Sequence, residues 1–426
     1  MTIFIEIHAL RSFPPSNLNR DDLGTPKTAV FGGARRLRIS SQCLKRTWRM
    51  SEHFRGKFAE EQLGVRTDRL PDEVLKGAGE LDEAARAGLV ALLESIGKKG
   101  AKAGAADSEA SDEGQGTEAE GEGEGGGGKA RTAHLLFLSR QEIEAVASFA
   151  RQKRTDLSKV FVKKKADGKT IERLRKELRS HLESSTSKNA VDVGLFGRFV
   201  TSDEFDTIDG ALQVAHALGT QKVEIEYDYF TAVDDLGDSP GAGHLGESEF
   251  ASSVLYLYAC CDLKQLEQNM GARGNDGRAV DDEARKLARK SLPALVRAVA
   301  EATPKGKKTG TAPHTPAEYL EVVVRRGGPL SLANAFMKPV AAREEDGDVM
   351  RASIVRLVKH RDTIESAYGR GEDILLYPPG EQVARFVLCL REDAVGKIRG
   401  QVVGTMDELA EKLSASLATI PREVLA

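Results

Sequence analysis

The sequence predicts an α+β fold in which a β-sheet is interrupted by a helical insertion. Strand patterns occur before and after a helical region. Isoleucine alternates with other residues over 3–8, and the apolar runs VLYLYACC (254–261) and VARFVLCL (383–390) have the length of buried strands. Between them, residues 72–96 and the segment after Ser139 have the apolar spacing of amphipathic helices. We therefore expect one sheet, built from distant parts of the chain, with helices inserted into it.

The helical insertion is expected over residues 59–185. Ser139 and Glu142 have the spacing of a capping box, in which both side chains satisfy backbone N–H groups at a helix start. Residues 97–128 within the insertion are rich in Gly, Ala, Glu and Asp and end in four glycines. This composition leaves almost nothing to bury, so we expect the acidic segment to be disordered.

Two further segments are rich in turn residues. Residues 11–33 contain several prolines and glycines, which predicts a long loop of the kind that often carries function. Residues 234–249 contain four glycines between two strand-like runs, which is the composition of a protruding hairpin.

Composition excludes several classes of protein. With 426 residues, 40% hydrophobic and 30% charged, the chain can build two domains or one domain with a large insertion. No apolar run approaches the roughly 18 residues of a membrane-spanning helix, and no secretory signal is recognisable at the start. Cys43, Cys260, Cys261 and Cys389 lack metal-binding spacing. We expect a cytoplasmic protein with reduced thiols, no metal and no cofactor.

Charge is unevenly distributed along the chain. The formal net charge is −3, but residues 107–124 hold eight acidic and no basic side chains, which leaves +5 for the remainder. Residues 20–49 hold eight Lys or Arg against two Asp. A mildly basic body is compatible with a polyanionic partner.

The basic segment predicts a helix that begins at Ser40 or Ser41. At about 100° per residue, Leu44 and the single tryptophan, Trp48, lie on one side and should pack on the sheet. The opposite arc is polar, and Arg36 and Arg38 continue it along the preceding strand. A row of cations without acidic neighbours can pair with successive phosphates. The polar arc of the helix consists of Gln42, Lys45, Arg46 and Arg49.

At this point the motifs resemble a known family. LNRDD at 18–22, followed by VFGGARRLRISSQCLKR at 30–46, is similar to the CasC family, the backbone subunits of the type I-E CRISPR surveillance complex Cascade. Five more blocks occur in the same order: VDVGLFGRFVTSD (191–203), DGALQVAHAL (209–218), FTAVDDL (230–236), GAGHLGESEF (241–250) and PLSLANAF (329–336). The acidic insertion departs from the family pattern.

The resemblance implies a modified RRM-like, ferredoxin-like palm, a helical fingers domain inserted in it and a thumb hairpin. It further implies that several copies assemble along one guide RNA. The expected divisions are palm at 1–58, fingers at 59–185, palm at 186–222, thumb at 223–253 and palm again at 254–426.

The resemblance also implies roles for individual residues. The basic helix should grip the guide backbone, helped by Arg20 and Lys27 in the preceding loop. Phe199 matches a position that holds an apolar side chain beside a displaced base, and Arg198 accompanies it. Phe230 and Leu245 belong to the thumb. The chain has no string of the RNP1 type, so phosphate binding is better supported than stacking of bases on the sheet.

An alternative is a metal-dependent RNA endonuclease subunit. Its metal ligands would come from paired loop aspartates, Asp21 with Asp22 and Asp234 with Asp235, and from His8 and His244. Neighbouring carboxylates on loops more often cap turns or pair with arginines. A generic single-strand binding protein is a third possibility, and His216 is expected on a buried helix with a structural role.

The favoured interpretation is a protein without catalytic activity that binds CRISPR guide RNA and presents it for pairing with target DNA in antiviral defence. Its expected partners are the guide RNA, target DNA through the guide, further copies of itself and other Cascade subunits, with no membrane. The sequence does not give the number of copies or the number of nucleotides held by each.

Overall fold

The computed structural model describes residues 2–97, 130–162, 165–185, 190–200, 202–233, 242–271, 281–375, 384–396 and 399–421. The acidic segment expected to be disordered, apart from Gly97, lies outside these residues. Within them the fold is α+β, as predicted, with one large mixed sheet.

The described residues form fourteen strands. They are β1 (Ile3–Ser16), β2 (Thr28–Phe31), β3 (Ala34–Ile39), β4 (Gly64–Thr67), β5 (Leu136–Ser139), β6 (Phe161–Val162), β7 (Lys165–Ala166), β8 (Leu212–Val214), β9 (Ala217–Gly219), β10 (Glu226–Val233), β11 (Ala242–Asp262), β12 (Tyr319–Arg326), β13 (Arg385–Cys389) and β14 (Gln401–Val402).

Thirteen α-helices accompany the strands in the same residues. They are α1 (Ser41–Arg49), α2 (Glu52–Arg55), α3 (Leu70–Gly77), α4 (Glu83–Glu94), α5 (Arg140–Gln152), α6 (Arg154–Leu157), α7 (Gly168–Ser185), α8 (Val191–Phe196), α9 (Leu263–Asn269), α10 (Asp282–Glu301), α11 (Lys308–Thr311), α12 (Val349–Ala367) and α13 (Met406–Ala418). None of the helices in the described ranges is long and apolar enough to cross a membrane.

The main sheet has the strand order β14-β13-β12-β1-β11-β9-β3-β2, and β8 and β10 also pair with β11. The pairs within it are antiparallel except for β13 with β14. The first strand therefore lies at the centre, between β11 and β12, as its alternating pattern allows.

Both faces of this sheet are covered. Ile3, Ile5 and Ile7 of β1 point into a core that also contains apolar residues of α1, α10 and α13. On the other face, Leu10 packs in a core with residues of α12. Glu6 and His8 also point to this second face and are buried. The polar half of the alternation thus faces protein rather than solvent.

The helical region between β4 and α8 has a separate core. Its buried apolar side chains come from α3, α4, α5, α6 and α7, from β5 and from Phe205. Helix α5 begins with the predicted capping box, in which the Ser139 hydroxyl accepts from the Glu142 N–H and the Glu142 carboxylate accepts from the Ser139 N–H. These helices are held by contacts of their own rather than by the main sheet.

Strand β11 is 21 residues long and belongs both to the main sheet and to a two-stranded ribbon. Residues Ala251–Asp262 pair with β1 in the centre of the sheet. Among the described residues, Ala242–Phe250 pair only with β10 and form an antiparallel ribbon beyond the sheet. The turn of this ribbon, residues 234–241, lies outside the described residues.

Two predictions of secondary structure need correction. The segment 11–33 is only partly a loop, because β1 continues to Ser16 and β2 begins at Thr28. The segment AHAL (215–218) around His216 is not a helix, since β8 ends at Val214, β9 begins at Ala217 and both strands pair with β11. In both places pairing with a distant strand overrides the local pattern.

Candidate nucleic-acid interface

Helix α1 begins as predicted. Ser40 is the N-cap, and its side chain accepts a hydrogen bond from the Cys43 N–H at 3.3 Å. Leu44 and Trp48 are buried in the core beneath the sheet, which confirms the apolar side of the helix. These contacts fix the direction in which the polar arc of α1 faces.

Part of that arc presents cations that form no ion pair within the described residues. Arg46 is exposed, while Gln42, Lys45 and Arg38 of the adjoining β3 are half-buried. In the part of the chain that the structure describes, no carboxylate oxygen lies within 4.0 Å of the charged atoms of Arg38, Lys45 or Arg46. Burial lowers the pKa of Lys45. Its ammonium group therefore gains from an anionic partner that would offset the lost hydration.

Arg49 does not join this surface. Its guanidinium group is buried, 3.7 Å from the Asp192 carboxylate at the start of α8 and 4.9 Å from the centre of the Phe137 ring. Asp192 also accepts a hydrogen bond from the Gly64 N–H at 2.6 Å. Helix α8 and β5 therefore cover the last turn of α1, and the expectation that Arg49 faces solvent is wrong.

Arg36 is also buried, although its neighbour Arg38 is not. Its guanidinium donates to the carbonyl oxygens of Gly219 at 3.0 Å, Thr220 at 2.8 Å and Phe336 at 2.9 Å. All three acceptors belong to the backbone, so Arg36 joins β3 to two other segments. Arg36 and Arg38 lie on the same face of β3, but the backbone at 219–220 and at Phe336 covers Arg36 and leaves Arg38 half-buried.

The two residues of the GRF motif differ in the same way. Arg198 is buried, pairs with Glu142 at 2.7 Å and donates to the Asp206 carbonyl at 2.8 Å. Phe199, next in the chain, is 67% exposed. An exposed phenylalanine beside a firmly held arginine is a suitable apolar contact for a base.

The loop before β2 is tied to the start of α1. The Asn19 side chain accepts from the Ser40 N–H at 2.8 Å, and its carbonyl accepts from the Lys27 N–H at 2.8 Å. Arg20 forms an isolated β-bridge with Pro26. The loop thereby holds Arg20 and Lys27, both half-buried, beside the cationic surface of α1.

The ribbon of β10 and β11 carries exposed aromatic side chains. Phe230 is 46% exposed and Tyr229 is 67% exposed. Gly246 is opposite Phe230, and a Cβ atom at Gly246 would lie only 2.3 Å from Cζ of that ring. Leu245 is opposite Thr231, but its side chain lies outside the described residues.

Sequence reasoning missed two residues at this surface. Arg66 of β4 lies 5.6 Å from the centre of the Phe137 ring, and its pKa is lowered by burial and then by the charges of Arg49 and Arg46, so it lies close to α1. His216, expected on a buried helix, is exposed, and its Nδ1 accepts a hydrogen bond from the Ser41 N–H at 3.0 Å. A lone arginine in a short strand gives no signal in the sequence, whereas the family block around His216 could have drawn attention to it.

The ligands suggested for a metal site are not brought together among the described residues. His8 is buried in the sheet, where its Nδ1 lies 2.9 Å from the Tyr256 hydroxyl. Asp21 is exposed and accepts from the N–H groups of Leu23 and Thr25, so it caps a turn. Asp234, Asp235 and the His244 side chain lie outside the described residues. Across the described ranges, no three His, Cys, Asp or Glu side chains are grouped to hold a metal ion.

Comparison with known proteins gives the relationship of the chain. It is similar to a solved chain described as "CRISPR RNA-guided surveillance complex, pre-nicking", with 28% identity, a TM-score of 0.71 and coverage of 97% of this chain and 100% of that one. A second, described as "CRISPR RNA-guided surveillance complex", has 24% identity and a TM-score of 0.61, covers 97% and 99% of the two chains, and supports the fold alone.

No curated protein matches the sequence. The family described as CT1975-like protein matches residues 5–409, which is most of the chain. The protein therefore belongs to the CT1975-like family of Cas proteins.

Proposed function

We propose that this protein is a non-catalytic backbone subunit of a type I-E CRISPR surveillance complex, Cascade, which binds guide RNA and presents it for pairing with target DNA. One observation carries the proposal. Arg38, Lys45 and Arg46 have no carboxylate partner within 4.0 Å in the described part of the chain, and they lie beside the loop of Arg20 and Lys27. Such a surface suits a chain of phosphates and requires no particular base sequence.

In this proposal the buried arginines position the site. Arg49 joins α1 to α8, Arg36 joins β3 to the segment at Phe336, and Arg198 fixes the backbone that presents Phe199. We add Arg66 and His216 to the residues proposed to line the RNA-binding surface, without assigning them a particular contact. We assign contact with phosphate to Arg20, Lys27, Arg38, Gln42, Lys45 and Arg46, and contact with a displaced base to Phe199.

The main sheet corresponds to the RRM-like palm, the separately packed helices to the fingers, and the ribbon of β10 and β11 to the thumb. Within the described residues, the two strands of the ribbon pair only with each other over Ala242–Phe250 of β11, and pairing with β1 begins at Ala251. It is therefore available to reach guide RNA held by a neighbouring copy, and Phe230 and Leu245 would act there.

The assembly is tested by replacing residues 236–247 with a tight turn. The variant should fold and still bind short RNA, but it should not form regular assemblies on a full guide. Native mass spectrometry gives the number of copies, and chemical modification of the guide shows whether exposed nucleotides recur at a fixed interval. Normal assemblies with unchanged periodic reactivity would contradict the thumb assignment.

The endonuclease alternative has a direct test. The purified subunit is incubated with guide RNA, complementary RNA and a divalent metal ion, with Asp21→Ala and Asp22→Ala as paired variants. We expect no cleavage. Cleavage that disappears in either variant would favour the nuclease. A generic single-strand binding protein is distinguished by forming no defined number of copies on a guide.

A further inference from the structure

The loop between α10 and β12, residues 303–315, is basic. Lys305, Lys307 and Lys308 lie in it, and no Asp or Glu occurs between Glu301 and Glu318. Lys305 is exposed and Lys308 is half-buried. Over the described ranges, neither ammonium group has a carboxylate oxygen within 4.0 Å. The loop therefore has the same uncompensated charge as the surface of α1.

Both ends of this loop are anchored by one buried arginine. Arg11 of β1 is 1% exposed, and its guanidinium donates to the Ala302 carbonyl at 2.5 Å and to the Thr303 hydroxyl at 2.6 Å. The same group donates to the Thr315 carbonyl. Burial lowers the pKa of Arg11 to about 10, so it remains charged at neutral pH. The loop is thus fixed to the central strand at its start and at its end.

The backbone inside the loop is constrained as well. Lys307 and Ala312, on either side of α11, both have a φ of 42°. This is a left-handed backbone conformation that residues other than glycine rarely adopt. The Lys307 ammonium donates to the Ser248 hydroxyl at 2.8 Å and lies 5.6 Å from the centre of the Phe250 ring. The Lys307 side chain therefore joins the loop to the ribbon.

The loop also lies against the segment that carries Arg20. A Cβ atom at Gly306 would be 2.4 Å from the Leu18 carbonyl oxygen, so the two backbones are in direct contact. The Asn17 side chain donates to the Glu249 carbonyl of the ribbon at 3.0 Å. Arg20, the lysine loop and the base of the ribbon are consequently neighbours.

We propose that loop 303–315 is a second phosphate-binding element, in which Lys305 and Lys308 contact the guide RNA backbone. This inference rests on the proposed function. A strained loop whose charged side chains are all basic, held by a buried arginine next to another predicted RNA-binding loop, is pre-organised for an anion. Lys307 positions the loop through the ribbon, and the guide is favoured over target DNA because Arg20 is adjacent.

The test compares three double variants of the full chain on single-stranded RNA of guide length. They are Lys305→Ala/Lys308→Ala, Lys45→Ala/Arg46→Ala, and the control Lys176→Ala/Lys359→Ala, which removes two exposed lysines elsewhere. Affinity is measured by fluorescence anisotropy between 50 and 200 mM salt, and folding by circular dichroism. Each lost phosphate contact should make the slope of log affinity against log salt shallower by about 0.7. For the loop variant, which loses two contacts, the fold-decrease in affinity between 50 and 200 mM salt should be about sevenfold smaller than for the wild type.

Each outcome separates the two proposals. A loop variant with the slope of the control, while the α1 variant is shallower, overturns the inference and leaves the proposed function standing. Slopes that match the control in both variants overturn both proposals. A loop variant that binds guide RNA normally but weakens capture of target DNA by the assembled complex assigns the loop to target DNA, which also overturns the inference.

Discussion

Two regions of the molecule are rich in arginine and lysine, and they differ in what surrounds the charge. Between the main sheet and α12, three arginines are buried with three glutamates. By contrast, Arg38 of β3 and Lys45 and Arg46 of α1 have no carboxylate oxygen within 4.0 Å in the described ranges. The buried contacts are Arg325 with Glu6 at 2.8 Å, Arg325 with Glu365 at 2.8 Å, Arg385 with Glu321 at 2.8 Å and Arg361 with Glu321 at 3.2 Å.

The difference distinguishes arginines with a structural role from the cations that we propose bind RNA. A buried ion is costly unless it is paired, so the network has a matching number of each sign. Exposed cations remain hydrated, so they carry no such cost and can remain unpaired until they bind an anion. Arg36 and Arg49 belong with the first group by burial, although sequence places them with the second.

The largest effect is expected from breaking the buried network. Arg385→Met should lower the free energy of unfolding by about 3–5 kcal/mol, because it leaves the Glu321 and Glu365 carboxylates with fewer partners. Urea unfolding followed by circular dichroism measures this change. Arg351→Ala, which breaks exposed pairs with Glu345 and Asp393, is the control and should cost far less, because solvent screens exposed ion pairs. Equal losses in both variants would remove the distinction.

The same network should make stability depend on pH. Burial alone would raise the pKa of Glu321, but the charges of Arg361 and Arg385 outweigh it and lower the pKa to about 2 from an ordinary 4.5. The group therefore contributes stability above pH 4.5 that is lost as the pH falls toward 2, on the order of 3 kcal/mol. Unfolding of Glu321→Gln between pH 6 and 2 should depend less on pH than unfolding of the wild type. An unchanged dependence would show that folding does not shift the pKa of Glu321.

Arg36→Met is expected to have an intermediate effect. It leaves buried carbonyl oxygens of Gly219, Thr220 and Phe336 without their donor, which should cost about 1–3 kcal/mol of unfolding free energy. RNA binding measured well below the unfolding transition should keep the salt slope of the wild type. A shallower slope in a fully folded variant would mean that Arg36 contacts phosphate directly.

The smallest effect on stability is expected at the surface of α1. Lys45→Ala/Arg46→Ala should change the free energy of unfolding by no more than about 0.5 kcal/mol, because neither side chain has an ion-pair partner within the described residues. Its RNA affinity should nevertheless fall to a similar extent on any guide sequence. A loss confined to certain sequences would indicate contacts with bases instead.

Sequence reasoning was most successful where the signal is local. The alternation at Ile3, Ile5 and Ile7, the Ser40 cap of α1 and the capping box of Ser139 with Glu142 all depend on residues a few positions apart. The apolar side of α1 could be predicted for the same reason.

It failed where distant segments decide the outcome. The helical period of α1 places Arg49 on the polar arc, but it does not reveal that Asp192 and Phe137 lie above that turn. Arg36 likewise meets the backbone of Phe336, 300 residues away in sequence. The sequence around His216 predicts a helix because the pairing of β9 with β11 has no local signal.

The uninterrupted course of β11 has a mechanical consequence. Its 21 residues span roughly 70 Å, from the outer ribbon to the centre of the sheet. Tension applied to the ribbon is transmitted along this one backbone to the strand that pairs with β1. Amide hydrogen exchange should accordingly be graded along β11, fast where only β10 is a partner and slow from Ala251 onward. We therefore expect the hydrogen bonds between β10 and β11 to open locally while those between β11 and β1 remain formed.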